Sequence, residues 1–140
     1  MTEIGEGIAV SGPVTLKCDD EWDDCQRRQM CAKLDSLNDT APLTRREVSP
    51  RLKKAKKSWQ AKYRRDNPPP GGNWTHECAK TNGRPIDADH VVDVQWGGHV
   101  KGPFEYLDAS VNRSVGSQMA ASQISTATSF KADPGCGCTG

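Results

Sequence analysis

Asp89-His90, followed 22 residues after the histidine by Asn112, is the set of side chains in this sequence best suited to chemistry. Hydrolysing a phosphodiester at neutral pH needs three things. A base must activate water, a cation must neutralise the charge growing on the phosphate, and hard oxygen ligands must hold that cation without quenching it. Histidine, whose ordinary pKa is about 6.5, suits the first task. Asp89 offers a carboxylate oxygen and Asn112 a neutral amide oxygen. In a regular strand Asp89 and His90 point to opposite faces, so both address one pocket only where the strand ends or kinks.

The elements that must position these residues follow from the patterning. Arg84 to Val94 gathers β-branched residues and reads as a strand leading into a loop, and Gly97-Gly98 breaks it. Pro103 to Leu107 offers a second short strand. Asp108 or Ser110 then caps a helix through Val111, Val115 and Met119, which brings Asn112 onto its first turn. The order is strand, loop, strand, helix.

Upstream, the stretch to about Lys17 alternates partially and reads as a short strand or a tether. An acidic turn at Asp19 and Asp20 leads into Trp22, Cys25, Met30, Leu34 and Leu37, the spacing of an amphipathic helix ending near Ser36 to Asn38. A second helix opens with Ser49 as cap and Pro50 in its first turn, and its apolar stripe is Leu52, Ala55, Trp59 and Tyr63. Lys53, Lys54, Lys56, Lys57, Lys62, Arg64 and Arg65 occupy the rest of its circumference. Asp66 through the three prolines to Gly72 stops it. The expected organisation is a helical region over 1–66, a mixed core over 67–125 and a flexible Cys/Gly tail over 126–140.

Charge supports a polyanion partner although the total is only +1. Residues 1–40 carry a net −5, residues 41–66 a net +8 and residues 67–140 a net −2. Cations concentrated on one helix release counterions from phosphate even when the remainder is acidic. At 140 residues the chain has the size of one domain, and no run of about 18 apolar residues suggests a membrane span. The first residues lack the basic and apolar regions of a secretion signal, so any export uses another route.

The stretch Asp87-Ala88-Asp89-His90-Val91-Val92-Asp93, Gly97-Gly98, and Leu107-Asp108-Ala109-Ser110-Val111-Asn112-Arg113-Ser114 resembles an HNH nuclease of the His-Me finger (ββα-metal) class. More closely, it is similar to nuclease toxin domains at the C-termini of bacterial polymorphic and type VI secretion effectors. The resemblance spans roughly residues 67–122. It implies an α+β fold with a ββα-metal core, a metal-dependent endonuclease acting on DNA, His90 as the base, and Asp89 and Asn112 as ligands of one divalent ion. Mg²⁺ is the expected ion, with Mn²⁺ or Zn²⁺ as alternatives. Arg113 and Gln118 fall where a phosphate contact or further polar support is expected, and Lys53, Lys54, Lys56 and Lys57 are expected to hold the nucleic-acid backbone. The same resemblance implies an antibacterial role in the target-cell cytoplasm, a delivery module on a longer parent chain and an immunity protein. The chain departs from the class at Lys101-Gly102-Pro103-Phe104, where many members carry a loop-tying asparagine; His99 or Gln95 is the expected replacement. The rival readings are a non-catalytic nucleic-acid-binding module and a nuclease acting on RNA.

The six cysteines admit three uses. One is a disulfide from the first helix to Cys78, the second a zinc site of His76, Cys78, Cys136 and Cys138, and the third free buried thiols. Trp59 and Tyr63 are expected in the core, and Trp96 beside the glycine pair is expected to lean into a groove.

Overall fold

The computed structural model describes residues 10–69, 71–75 and 84–138. The fold is α+β. In chain order it holds β1 (Ser11–Leu16), α1 (Asp24–Thr40), β2 (Leu43–Thr44), α2 (Pro50–Asp66), β3 (Ile86–His90), β4 (Phe104–Asp108), α3 (Ala109–Ala121) and β5 (Thr126–Ala132), with single 3₁₀ turns at Val94–Trp96 and Pro134–Cys136. Two sheets form. One has the order β1-β5-β2, with β1 parallel and β2 antiparallel to β5; the other is the antiparallel pair β3-β4, in which Asp89 faces Glu105 and His90 faces Phe104.

Helix starts follow local chemistry. At α1 the Asp23 carboxylate accepts from the Gln26 amide while the Gln26 side chain accepts from Asp23 N–H, a reciprocal capping box. Ser49 caps α2 through Leu52 N–H, with Pro50 placed where a missing N–H costs nothing. Asp108, not Ser110, caps α3, accepting from Ser110 and Val111. Arg84 bridges the caps of α1 and α3, reaching Asp23 at 2.9 Å and Asp108 at 3.0 Å, so the two helix starts are locked together.

One core spans the chain. Val14, Leu16, Met30, Leu34 and Leu37 pack with Trp96, Leu107, Val111, Val115, Met119, Ala127 and Phe130. Residues on both sides of the expected 66/67 boundary therefore share one apolar interior.

The stretch beyond 125 corrects the expectation of a flexible tail. The buried residues of β5, Ala127 and Phe130, are three apart and so show no strand alternation in the sequence, yet β5 is the middle strand of its sheet. Two disulfides fasten its end to the front of the chain: Cys18–Cys136 and Cys31–Cys138. The expected zinc set is thereby corrected, since Cys136 and Cys138 have given their sulfurs to disulfides; His76 and Cys78 lie outside the described residues. Cys25 is also disulfide-bonded, and none of the described cysteines is free.

On α2 the stripe of Leu52, Ala55, Trp59 and Tyr63 is half-buried, with none of the helix fully enclosed. The helix lies along the outer edge of β3, where Gln60 and Arg64, one turn apart, donate to the carbonyls of Ala88 and Ile86 at 2.8 Å each. Side chains thus satisfy a strand edge that carries no further strand among the described residues. Tyr63 stacks on Phe104 and Tyr106 at centroid distances of 5.1 and 5.2 Å.

Candidate active site

Strand β3 carries Asp87 and Asp89 on one face and His90 on the other, and it ends at His90. Asp89 and His90 can both reach one cavity because the ladder stops there. The cavity, about 530 Å³, is lined by Asp89, His90 and Asp93 from β3 and its loop, by Asn112, Arg113 and Gly116 from α3, and by Lys53, Lys56 and Gln60 from α2. Five expected residues besides His90 therefore meet at one place: Asp89, Asn112, Arg113, Lys53 and Lys56.

His90 is 2% exposed. Its Nε2 lies 2.8 Å from the Val100 carbonyl oxygen. A carbonyl only accepts, so the imidazole proton resides on Nε2 and Nδ1 carries the lone pair. Nδ1 is buried with no hydrogen-bond partner. Burial holds the His90 pKa below its ordinary value, helped by the positive charges of Lys56 and Lys33 and opposed by the Val100 carbonyl and Asp93. The result is a neutral imidazole at neutral pH. The Val100 carbonyl performs the tie expected of His99 or Gln95: His99 Nδ1 instead accepts from Lys101 N–H, and Gln95 faces Arg45.

The loop that presents Val100 is held from within. Arg46 donates to the carbonyls of Val94 at 2.7 Å and Gly98 at 2.5 Å. Gly97 has φ of +92°, and a Cβ at Gly98 would lie 1.8 Å from the Val92 carbonyl oxygen, so both glycines are required by the backbone path. Trp96, expected in a groove, is corrected to the core. It is fully buried, with its indole N–H on the Met119 sulfur at 3.2 Å, Phe130 edge-on, and the Arg45 guanidinium 4.6 Å from the ring centroid.

Lys33 of α1 is the residue that sequence reasoning missed. Its ammonium is fully buried and lies 2.7 Å from Asp89 Oδ2, 2.8 Å from the His90 carbonyl, 3.0 Å from the Val91 carbonyl, 3.5 Å from Asp93 and 3.8 Å from Glu105. Burial alone would pull the Lys33 pKa down; the combined charge of the three carboxylates outweighs it and holds the group ionised. Burial also pushes Asp89 and Asp93 upward, because three carboxylates share one ammonium. The signal existed in the spacing: Gln26, Met30, Lys33 and Leu37 recur at four, three and four residues, which places Lys33 on the buried face of α1.

Asn112 and Arg113 both turn to Asp87, at 2.9 and 3.3 Å, rather than to Asp89. Gln118 supplies polar support, the second of the two uses expected of it. Its amide straps Lys17, accepting from the main-chain N–H and donating to the carbonyl at 2.8 Å each, and so joins α3 to the end of β1. Lys54 and Lys57 are exposed on α2, outside the cavity lining.

Among the described residues no three His, Cys, Asp or Glu side chains converge as a ligand set. The oxygen donors along the cavity include two carboxylates, Asp89 and Asp93, and the Asn112 amide, and among the described residues Asp93 Oδ2 is buried without a hydrogen-bond partner. That chemistry fits Mg²⁺, which is typically held by one or two carboxylates with water and substrate phosphate completing its shell. It does not fit a nitrogen- or sulfur-rich Zn²⁺ site. No helix of the described residues is long and apolar enough to cross a membrane. No protein-family model, curated protein or solved structure matches this chain.

Proposed function

We propose that the protein is a metal-dependent endonuclease of the HNH type, with a ββα-metal core formed by β3, β4 and α3, hydrolysing DNA phosphodiester bonds. The observation that carries this reading is His90. Its tautomer is set by the Val100 carbonyl, its Nδ1 has no partner, and it lines a cavity together with carboxylates and the cations Lys53, Lys56 and Arg113. An acidic floor and a basic mouth are what a phosphodiester and a bound cation jointly require.

His90 Nδ1 accepts a proton from water, the resulting hydroxide oxygen attacks phosphorus in line, and the bond to the 3′ oxygen breaks, that oxygen taking a proton from solvent water and leaving as the 3′-hydroxyl while His90 returns its own proton to solvent. Asp89, Asp93 and Asn112 would hold a divalent ion, which supplies charge neutralisation at the phosphate. Lys53, Lys56 and Arg113 bind the flanking phosphates, while the exposed Lys54 and Lys57 of α2 extend the same field along the backbone. Contacts of this kind read no bases, so cleavage has little sequence preference.

The biological setting follows from the resemblance: an antibacterial toxin domain delivered from a longer parent chain, acting in the target-cell cytoplasm and neutralised in its producer by an immunity protein. The decisive experiment incubates the protein with supercoiled plasmid and Mg²⁺, with and without EDTA, alongside His90→Ala. Nicking that needs both Mg²⁺ and His90 is the expected result. Band shifts without nicking would establish the non-catalytic binding module instead, and preferential loss of total RNA in a parallel digest would establish RNA as substrate.

A further inference from the structure

Lys33 stands at a place where stability alone gives little reason for a lysine. Buried ion pairs are often replaceable by apolar side chains at no loss of stability. This one reaches two main-chain carbonyls besides its carboxylates, and they belong to His90, the last residue of β3, and to Val91, which follows it. The third close contact is Asp89 Oδ2. All three of its ammonium protons therefore point at the residues on which the proposed chemistry depends. The helix that carries it is locked at its start to α3 through the Arg84 bridge, and Gln29 of α1 accepts from Asp108 N–H at 2.7 Å.

We propose that Lys33 is the positioning residue of the active site: its ammonium pins the His90 and Val91 carbonyls and the Asp89 carboxylate to one point of α1, fixing where the His90 ring and the metal-binding carboxylate stand. The inference rests on the nuclease reading. A fixed internal cation also lowers the negative charge that an incoming divalent ion meets, so Lys33 sets both placement and affinity. Loss of the ammonium alone should therefore tighten ion binding and slow cleavage, two opposed effects that general destabilisation does not produce.

The test uses Lys33→Met, and Lys33→Met combined with Glu105→Gln, which removes one charge of each sign and spares the fold an unbalanced cluster. Glu105→Gln alone is the reference. Expected in the folded double variant are a Mn²⁺ affinity within about threefold of wild type, a plasmid KM within about twofold, and a kcat at least about tenfold below that of Glu105→Gln. Nitrogen NMR should show the His90 ring as one tautomer in wild type and as a mixture in the double variant. A folded double variant with the kcat of Glu105→Gln and an unchanged His90 ring would overturn the assignment. So would failure of both Lys33 variants to fold, which would make Lys33 a stabilising residue only. A wild-type protein that never nicks, yet whose His90 ring responds to the double variant, would sink the nuclease reading and leave the placement of His90 by Lys33 standing.

Discussion

The Asn112 side-chain amide donates to Asp87 Oδ2 at 2.9 Å, two positions before Asp89 on the same face of β3. Asp87 thereby fastens the first turn of α3, including the Arg113 guanidinium, to the strand that carries His90. Asp87→Ala removes that latch without changing the identity of any cavity-lining residue. We expect cleavage to fall about tenfold with stability changed by less than about 1 kcal/mol, because the side chain is only partly buried and misplacement of a positioned group is costly to rate. Plasmid nicking and urea unfolding measured on the same preparation check both halves; equal activity would remove Asp87 from the site.

His90→Ala should lower nicking by about 10² to 10⁴, the usual contribution of a positioned base. Burial and the nearby cations hold the imidazole below its ordinary pKa. The acidic limb of the kcat/KM profile should accordingly lie below about pH 6.5, where a solvated histidine would put it. A limb above that value would mean that His90 is not the group being titrated.

Asp89 and Asp93 titrate in the opposite sense. Their folded pKa values are raised, so between about pH 4 and the folded values the native state binds more protons than the unfolded chain, and their contribution to stability is lost as pH rises through that window. His90, with its lowered pKa, works against this only below its ordinary value of about 6.5, whereas Asp89, raised to about 7, goes on losing its contribution above that. In EDTA the Tm should thus be higher at pH 5.5 than at pH 7.5. Mg²⁺ binds the ionised carboxylates, so adding it should raise Tm more at pH 7.5 than at pH 5.5. Thermal scans at the two pH values, with and without the ion, test this; an equal shift at both would place the ion elsewhere.

The basic helix and the strand that carries His90 were legible in the sequence because each follows a local rule: a cap with proline and a period near 3.6 for α2, β-branched runs broken by a glycine pair for β3 and its loop. The meeting of Asp89, His90, Asn112 and Arg113 was legible for the same reason, since it follows from strand, loop, strand and helix in that order. The burial of Lys33 is legible from its helix spacing, but what Lys33, Asp87 and the Arg46 clamp meet is not. Their partners lie 56, 25 and 48 residues away, and no local pattern reports which distant carbonyl or carboxylate a cation will meet. Strand β5 was hidden for a related reason. Its buried residues, Ala127 and Phe130, are three apart and show no alternation, and the disulfides that fix its end are long-range facts.

Reversing charge on α2 should separate two kinds of cation. Lys53 and Lys56 line the cavity; Lys54 and Lys57 are exposed outside it. Lys54→Glu with Lys57→Glu should weaken DNA binding and reduce the slope of log K against log salt by about 0.9 for each phosphate that the helix no longer neutralises, with kcat preserved. Lys53→Glu with Lys56→Glu should lower kcat as well, since these side chains border the phosphate that reacts. Indifference of both pairs would reduce α2 to a solvated face.

The disulfides Cys18–Cys136 and Cys31–Cys138 close loops of 118 and 107 residues. In the chain-entropy picture a loop of that length restrains the unfolded state by roughly 4 to 5 kcal/mol, and removing a native bridge typically costs about 2 to 5 kcal/mol. Cys31→Ser with Cys138→Ser should therefore destabilise the protein by a few kcal/mol, read as a lower urea midpoint. Both bridges join α1 or its approach to the segment after β5, and neither contributes a residue to the cavity. Nicking at low temperature, where the folded state still dominates, should then persist in this variant within about twofold. Activity that disappears in parallel with the bridge, at a temperature where circular dichroism shows the fold intact, would mean that β5 and α1 transmit their placement to Lys33 and hence to His90.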